Sequence, residues 1–176
     1  MDTDFECVIV GGGAAGLSSA LVLGRARRRT LVIDAGEQSN RPDEGIGGLL
    51  GNDGTSPPRF YEAAGAEVDR YPAVERIAGT VADGRREDGG FRLATAGGEE
   101  ITAANVILAT GMRYEHPDLP GLAELWGRDA FHCPFCHGWE ARDGHVAVIV
   151  DQLPDAMRAR LIGLWTDRVT VVTGGR

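Results

Sequence analysis

The sequence predicts an α/β fold: a parallel sheet continued by a β-meander, then the opening of a second, incomplete domain of the same build. Three observations carry this. A short apolar run, Phe5 to Val10, is broken at once by Gly11-Gly12-Gly13. A second run, Thr30-Leu31-Val32-Ile33, ends on Asp34 after an intervening stretch of small apolar residues. The pattern of strand, helix and strand then recurs near the end of the chain. Apolar runs of this length bounded by turn residues read as buried strands, and a strand–helix–strand unit in one sheet implies a right-handed parallel crossover.

Each element follows from its residues. Phe5 to Val10 is the first strand, and Ala14 to Gly24 is small and apolar enough for a helix lying close on a sheet. Thr30 to Asp34 is the second strand. Residues Ala35 to Pro58 are rich in Gly, Asn, Asp, Ser and Pro and form a long loop, a kind of segment that is usually functional in a compact domain. Arg59 to Arg70 has helical character. From Val74 to Ala103, alternation and the turns Asp83-Gly84, Asp88-Gly89-Gly90 and Gly97-Gly98 indicate the meander, with Phe91-Arg92-Leu93 inside one strand. Asn105 to Ala109 is a further buried strand closed by Thr110-Gly111. Tyr114 to Gly121, with Pro117 and Pro120, is a linker. His145 to Val150 and Arg168 to Val172 are strands flanking a helix from Pro154 to Trp165. The expected organisation is therefore a first domain over 1–113, a linker over 114–121 and a partial domain over 122–176.

Composition narrows the function. With 18 basic and 26 acidic residues the formal net charge is −8, against a nucleic-acid binder with a basic face. An apolar fraction of 43% and a charged fraction of 25% are those of a folded globular chain. The acidic start, Met1 to Glu6, leads into only a short apolar run, unlike a signal peptide. No stretch nears the ~18 apolar residues of a membrane span. A cytoplasmic protein without membrane partners is expected. The 26 glycines exceed the usual ~7% and point to tight turns and close approach to a ligand.

Gly11-x-Gly13-x-x-Gly16 after a strand and at the start of a helix has a specific physical reading. The first glycine makes the tight turn, the second admits a pyrophosphate, the third lets helix and strand pack, and the helix N-terminus favours the anion. Asp34, ending the next strand, is placed to bind ribose hydroxyls. The competing reading is a glycine-rich turn in a domain without ligand. NAD and FAD share the fingerprint, so the loop alone does not choose between them.

Three cysteines do not make a secreted disulfide framework, and two stand as Cys133-Pro134-Phe135-Cys136. In a reducing compartment this spacing is catalytic or metal-binding more often than structural. Cys133 to His137 also fits a haem-attachment pattern, which requires export. Zinc needs four ligands, usually from two separated pairs, whereas His132, Cys133, Cys136 and His137 are all local; no metal is expected. An inert structural pair is the remaining alternative. Cys7, inside a buried strand, reads as a small hydrophobe.

Taken with the opening Gly-Gly-Gly-Ala-Ala-Gly, the loop Gly48-Leu49-Leu50-Gly51-Asn52-Asp53-Gly54, Ala109-Thr110-Gly111 and Cys133 to Gly138, the chain resembles the low-molecular-weight thioredoxin reductase family. It is similar in particular to the branch holding the flavin-dependent dithiol oxidases of gliotoxin and holomycin biosynthesis. The resemblance spans essentially the whole chain. It implies a Rossmann-like FAD-binding domain and an incomplete NAD(P)-binding-like domain carrying the cysteines. By position it implies pyrophosphate binding at Gly11, Gly13, Ala14, Ala15 and Gly16, ribose binding at Asp34, and a cofactor contact at Ala35. Asn40, Arg41, Gly51 and Asp53 would lie by the flavin, Val81 by the adenine, and Ala109, Thr110 and Gly111 against the cofactor. Cys136 would face the isoalloxazine and Cys133 would attack a dithiol or disulfide. Such a pair can close a reversible disulfide, the thiolate being the reacting form. His137 stands where reductases of the family carry Asp, as in the oxidase branch, and could carry the thiol proton; His132 is a second candidate. The implied partners are a small dithiol or disulfide, or a thioredoxin-like protein, and a homodimer.

Two departures shape the expectation. The second-domain strand runs into Val150-Asp151-Gln152-Leu153-Pro154-Asp155, with no glycine from Val150 through Ile162, so NADPH binding is doubtful and an oxidase is favoured over a reductase. The resemblance also implies further chain, including the segment that closes the flavin domain. Without it, weak FAD binding or a catalytically incompetent nucleotide-binding fragment is the alternative.

Overall fold

The computed structural model describes residues 3–150 and 156–173. The chain divides into two units, one of residues 1–41 and 57–115, the other of 42–56 and 116–176.

The first unit holds strands β1 (Phe5–Val10), β2 (Thr30–Asp34), β3 (Val74–Ala78), β4 (Val81–Glu87), β5 (Gly90–Thr95) and β6 (Glu100–Leu108), with helices α1 (Ala14–Arg25) and α2 (Pro57–Val68). The sheet order is β3-β2-β1-β6-β5-β4. β1 pairs in parallel with both β2 and β6, β2 in parallel with β3, and β4, β5 and β6 are antiparallel. This is the mixed α/β fold with a predominantly parallel half that the sequence predicts.

Alternation along β1 sorts its side chains between two cores. Cys7 and Ile9 join Val32, with Leu17 and Ala20 of α1 and Val68 of α2. Val8 joins Leu31, Ile33, Leu93, Ile101 and Ala103. Val8, Ile9, Val32 and Ile33 are fully buried, and each stabilises the fold by roughly 1.5–3 kcal/mol relative to exposure. α1 reaches the sheet closely because Gly16 has no Cβ; one built there would overlap the carbonyl oxygen of Gly11.

Two expectations for this unit are corrected. Val74–Ala78 is not the first strand of the meander: it pairs in parallel with β2, from Thr30↔Val74 to Asp34↔Ala78. The α2 crossover leaves room for that return, so the meander begins only at Val81. Nor is Asn105 to Ala109 a separate buried strand. It continues β6, which pairs with β5 around Leu93↔Ile101 and with β1 through Cys7↔Asn105 to Val10↔Leu108. Leu108 is 75% exposed, and Ala109 lies just beyond the strand.

The second unit contains α3 (Leu122–Leu125), α4 (Pro134–His137), β7 (Val146–Val150), α5 (Ala156–Ile162) and β8 (Val169–Thr173). β7 and β8 are parallel, Val146↔Val169 to Val150↔Thr173, the expected second strand–helix–strand unit. Val148, Val150 and Ile162 form its core, with Phe131, Val146, Ala159 and Val169 packed on it. The glycine-free segment 151–155, with Asp151 and Asp155, and the terminal Gly174, Gly175 and Arg176 lie outside the described residues. Among the described residues no helix is long and apolar enough to cross a membrane.

Candidate functional site

In the first unit, the glycine loop, Asp34 and Ala109 to Gly111 lie at the carboxyl ends of β1, β2 and β6, where open parallel sheets bind ligands. The N–H of Gly11 donates to the Ile33 carbonyl at 2.8 Å, and the N–H of Ala109 to the Val10 carbonyl at 2.8 Å. Gly11 takes φ +106°, a left-handed conformation that favours glycine. α1 then starts with Gly13 as an extended N-cap and no side-chain cap, leaving first-turn N–H groups for an anion. Gly16 is buried beneath the loop, whereas Ala14 and Ala15 are exposed. A Cβ on Gly13 would meet nothing nearer than Gln38 Cγ at 3.8 Å. An uncapped helix terminus over open glycine backbone fits an anionic dinucleotide.

Asp34 fits the same ligand, though it is not idle. Its Oδ1 accepts the Gly12 N–H at 3.0 Å, and Gln38 Nε2 donates to Oδ2 at 2.9 Å. Arg41 Nη1 donates to Gln38 Oε1 at 2.9 Å, and Tyr61 donates to Asn40 Oδ1 at 2.9 Å. Gln38 thus ties Asp34 to Arg41, and Tyr61 separately holds Asn40; no sequence motif marks Gln38 or Tyr61. Ala35, Thr110 and Gly111 are exposed near these strand ends. Val81 packs half-buried on the second core.

In the second unit, Gly51 and Asp53 belong to the 42–56 loop. Asp53 Oδ1 accepts the Gly48 N–H at 2.8 Å, and across the loop the Ile46 N–H donates to the Thr55 carbonyl and the Gly54 N–H to the Ile46 carbonyl, both at 2.9 Å. Gly51 has φ +82°. Asp53 therefore shapes the loop.

The same loop reaches the cysteine pair. Cys133 is the extended N-cap of α4, with Pro134 in its first turn, and Cys133 and Cys136 are joined as a disulfide with Cα atoms 5.4 Å apart. That separation falls within the ordinary range for a disulfide. The N–H groups of Cys136 and His137 both donate to the Cys133 carbonyl, at 3.1 and 3.3 Å. A Cβ on Gly47 would overlap the Cys136 carbonyl oxygen, so only glycine permits the loop to run there. Asp43, four residues earlier, places Oδ2 3.5 Å from Nε2 of His137, with the two side chains 15% and 13% exposed.

The His137 ring stacks on Phe131, centroids 5.4 Å apart and planes within 17°. Neither of its buried nitrogens makes a hydrogen bond among the described residues. Burial pushes the Asp43 carboxyl up, and the nearby His137 and His132 pull against it. His132 stacks on Trp126 at 5.9 Å; burial lowers its pKa, with repulsion from His137 and Arg158 adding to that and Asp43 opposing it. Asp43 was missed in the sequence, where the only signal was its place in a long polar loop. Cys7 is 5% exposed and burial raises its thiol pKa, which suits an inert core residue.

The chain as a whole is similar to known proteins. The chain is 35% identical to thioredoxin reductase aclD of Aspergillus oryzae, covering 97% of this chain and 57% of that protein. It is 34% identical to thioredoxin reductase tcpT of Claviceps purpurea, over 82% of this chain and 46% of that one. The crystal structure of an oxidoreductase from Agrobacterium tumefaciens superposes with a TM-score of 0.90 at 40% identity, over 95% of this chain and 56% of the other. The chain spans about half the length of the curated relatives it matches. The pyridine nucleotide-disulphide oxidoreductase profile matches residues 5–175, and FAD is the cofactor of that family. With the profile running through both the glycine loop and the cysteine pair, the chain belongs to the pyridine nucleotide-disulphide oxidoreductase family.

Proposed function

We propose that this chain is the flavin-binding and dithiol-bearing portion of an FAD-dependent thiol–disulfide oxidoreductase acting on a small dithiol or disulfide. The observation that carries the reading is the Cys133–Cys136 disulfide at the head of α4, followed directly by a buried histidine. In this reading, Gly11, Gly13, Ala14, Ala15 and Gly16 hold the pyrophosphate, Asp34 the ribose, and Ala35 lies against the cofactor. Asn40, Arg41, Gly51 and Asp53 serve the flavin, Val81 the adenine, and Ala109, Thr110 and Gly111 close on the cofactor. The domains are drawn from 1–113 and 122–176, joined by 114–121, with the 42–56 loop grouped with the second unit. The proposed setting is the cytoplasm.

A substrate dithiolate attacks Cys133 Sγ, breaking the Cys133–Cys136 bond and releasing Cys136 as thiolate. The second substrate thiol then displaces Cys133 from the mixed disulfide. The substrate leaves as a disulfide, and the pair holds its two electrons. His137 receives and returns the thiol protons. FAD, when bound, supplies the two-electron acceptor through which the pair returns to the disulfide.

What lies on the far side of the flavin separates two versions. The acidic, glycine-free 151–155 sequence favours dioxygen, hence an oxidase. The thioredoxin reductase relatives favour NADPH and a thioredoxin-like protein partner. Purified protein should take up FAD and show flavin absorption; a protein that stays colourless on reconstitution overturns the proposal. Oxygen uptake with a dithiol supports the oxidase, whereas rapid flavin reduction by NADPH supports the reductase. FAD uptake without either reaction marks an incompetent fragment.

A further inference from the structure

We propose that Asp43 is the positioning residue of His137, fixing its Nε2 so that Nδ1 is the nitrogen that exchanges protons with the cysteine thiols. The inference rests on the redox reading of Cys133 and Cys136. Its basis is geometric. Asp43 is brought to α4 by a loop held against the cysteine helix, since Gly47 abuts the Cys136 carbonyl. Gly127 backs Asp43 from the other side: a Cβ there would stand 2.8 Å from Asp43 Oδ1. Phe131 fixes the plane of the ring by stacking. The carboxylate and the ring are thus clamped independently and meet at 3.5 Å.

Buried polar atoms are nearly always hydrogen-bonded, and exceptions call for a physical reason. His137 has both nitrogens buried and unbonded among the described residues while the cysteines are joined. A disulfide carries no proton and offers the ring no strong partner. Reduction changes that. A cysteine thiol gives its proton to the neutral imidazole, leaving a thiolate and an imidazolium, and the imidazolium gains a carboxylate across from Nε2. A partner at one nitrogen decides which nitrogen is free for chemistry, and the attraction strengthens away from water. The other titrating groups around the pair are His132, just before α4, and the two cysteines; the Arg158 charge on α5 reaches His132. Of the groups facing the His137 ring, Asp43 is the carboxyl group, and it carries a negative charge when ionised.

The test uses the full 176-residue chain, reduced with dithiothreitol. Alkylation of Cys133 and Cys136 by iodoacetamide is followed against pH by peptide mass spectrometry, with His137 read by ring-proton NMR. Asp43→Asn is expected to slow alkylation about tenfold near neutral pH, where His titrates, with the difference vanishing in alkali. The His137 ring-proton signals should differ between this variant and the wild type, and Asp43→Glu should recover much of both effects. Superimposable profiles for wild type and Asp43→Asn overturn the proposal. Should Asp43→Asn fail to fold, the wild type decides alone: the Asp43 carboxyl carbon must respond when His137 titrates, and silence overturns the proposal. A wild-type pair that does not cycle between dithiol and disulfide overturns the redox reading itself. A cycling pair with an unresponsive Asp43 removes only this inference.

Discussion

Asp34 accepts the backbone N–H of Gly12 through Oδ1 at 3.0 Å, so the acid that ends β2 is bonded to the glycine loop that ends β1. The carboxylate that would serve ribose hydroxyls also shapes the turn that would serve the pyrophosphate. Asp34→Asn retains an acceptor for Gly12, whereas Asp34→Ala leaves that N–H without one. FAD titrations followed by flavin fluorescence should show weaker binding in both variants. Ala should be the worse by about 1–2 kcal/mol, the cost of an unmet buried donor.

Gly16→Ala tests the packing beneath the loop. The new methyl meets the Gly11 carbonyl, and the strain of an added methylene is about 1–3 kcal/mol. Thermal melts should show lower stability, and FAD binding should weaken because α1 moves from its strand.

Ile9→Ala separates fold from site. Ile9 is fully buried in the core against α1 and α2, and such truncations cost about 2–5 kcal/mol. Urea unfolding should register the loss while the redox behaviour of the folded fraction is unchanged.

Cys136→Ser should leave FAD uptake intact and abolish electron transfer from dithiols to flavin, as read by anaerobic bleaching. Retained transfer would show that Cys136 is not the flavin-facing cysteine.

Burial depresses the pKa of His132, with His137 and Arg158 adding to it. The unfolded chain therefore binds the proton more readily than the folded one. The stability contributed by neutral His132 is full above its ordinary value near 6.5 and is lost as pH falls through the folded value. His132→Phe should flatten this acid limb in melts recorded against pH.

Most of the first unit was legible in the sequence because short apolar runs ended by glycine or aspartate leave little choice of strand, as at Val10-Gly11 and Ile33-Asp34. Val74–Ala78 was misread because alternation reports one exposed face but not which neighbour pairs; only the α2 crossover decides that. The Asn105 boundary failed for a related reason, since one strand changed partners without changing pattern. At the site, glycine spacing and Cys-x-x-Cys were readable as local motifs. Asp43 and Phe131 were not, because one faces a residue far from it in sequence and the other acts through a ring contact without a motif; Gln38 was not, because a side-chain bond to a nearby carboxylate leaves no pattern.

The 42–56 excursion has an evolutionary consequence. It leaves the chain between β2 and α2, inside the sequence of the first unit, yet supplies Asp43 and Gly47 to the second. Recombination at the 114–121 stretch would transplant the cysteines without their carboxylate. The two units are therefore not interchangeable cassettes, and drift in the early loop must be matched by residues around His137, almost a hundred positions downstream.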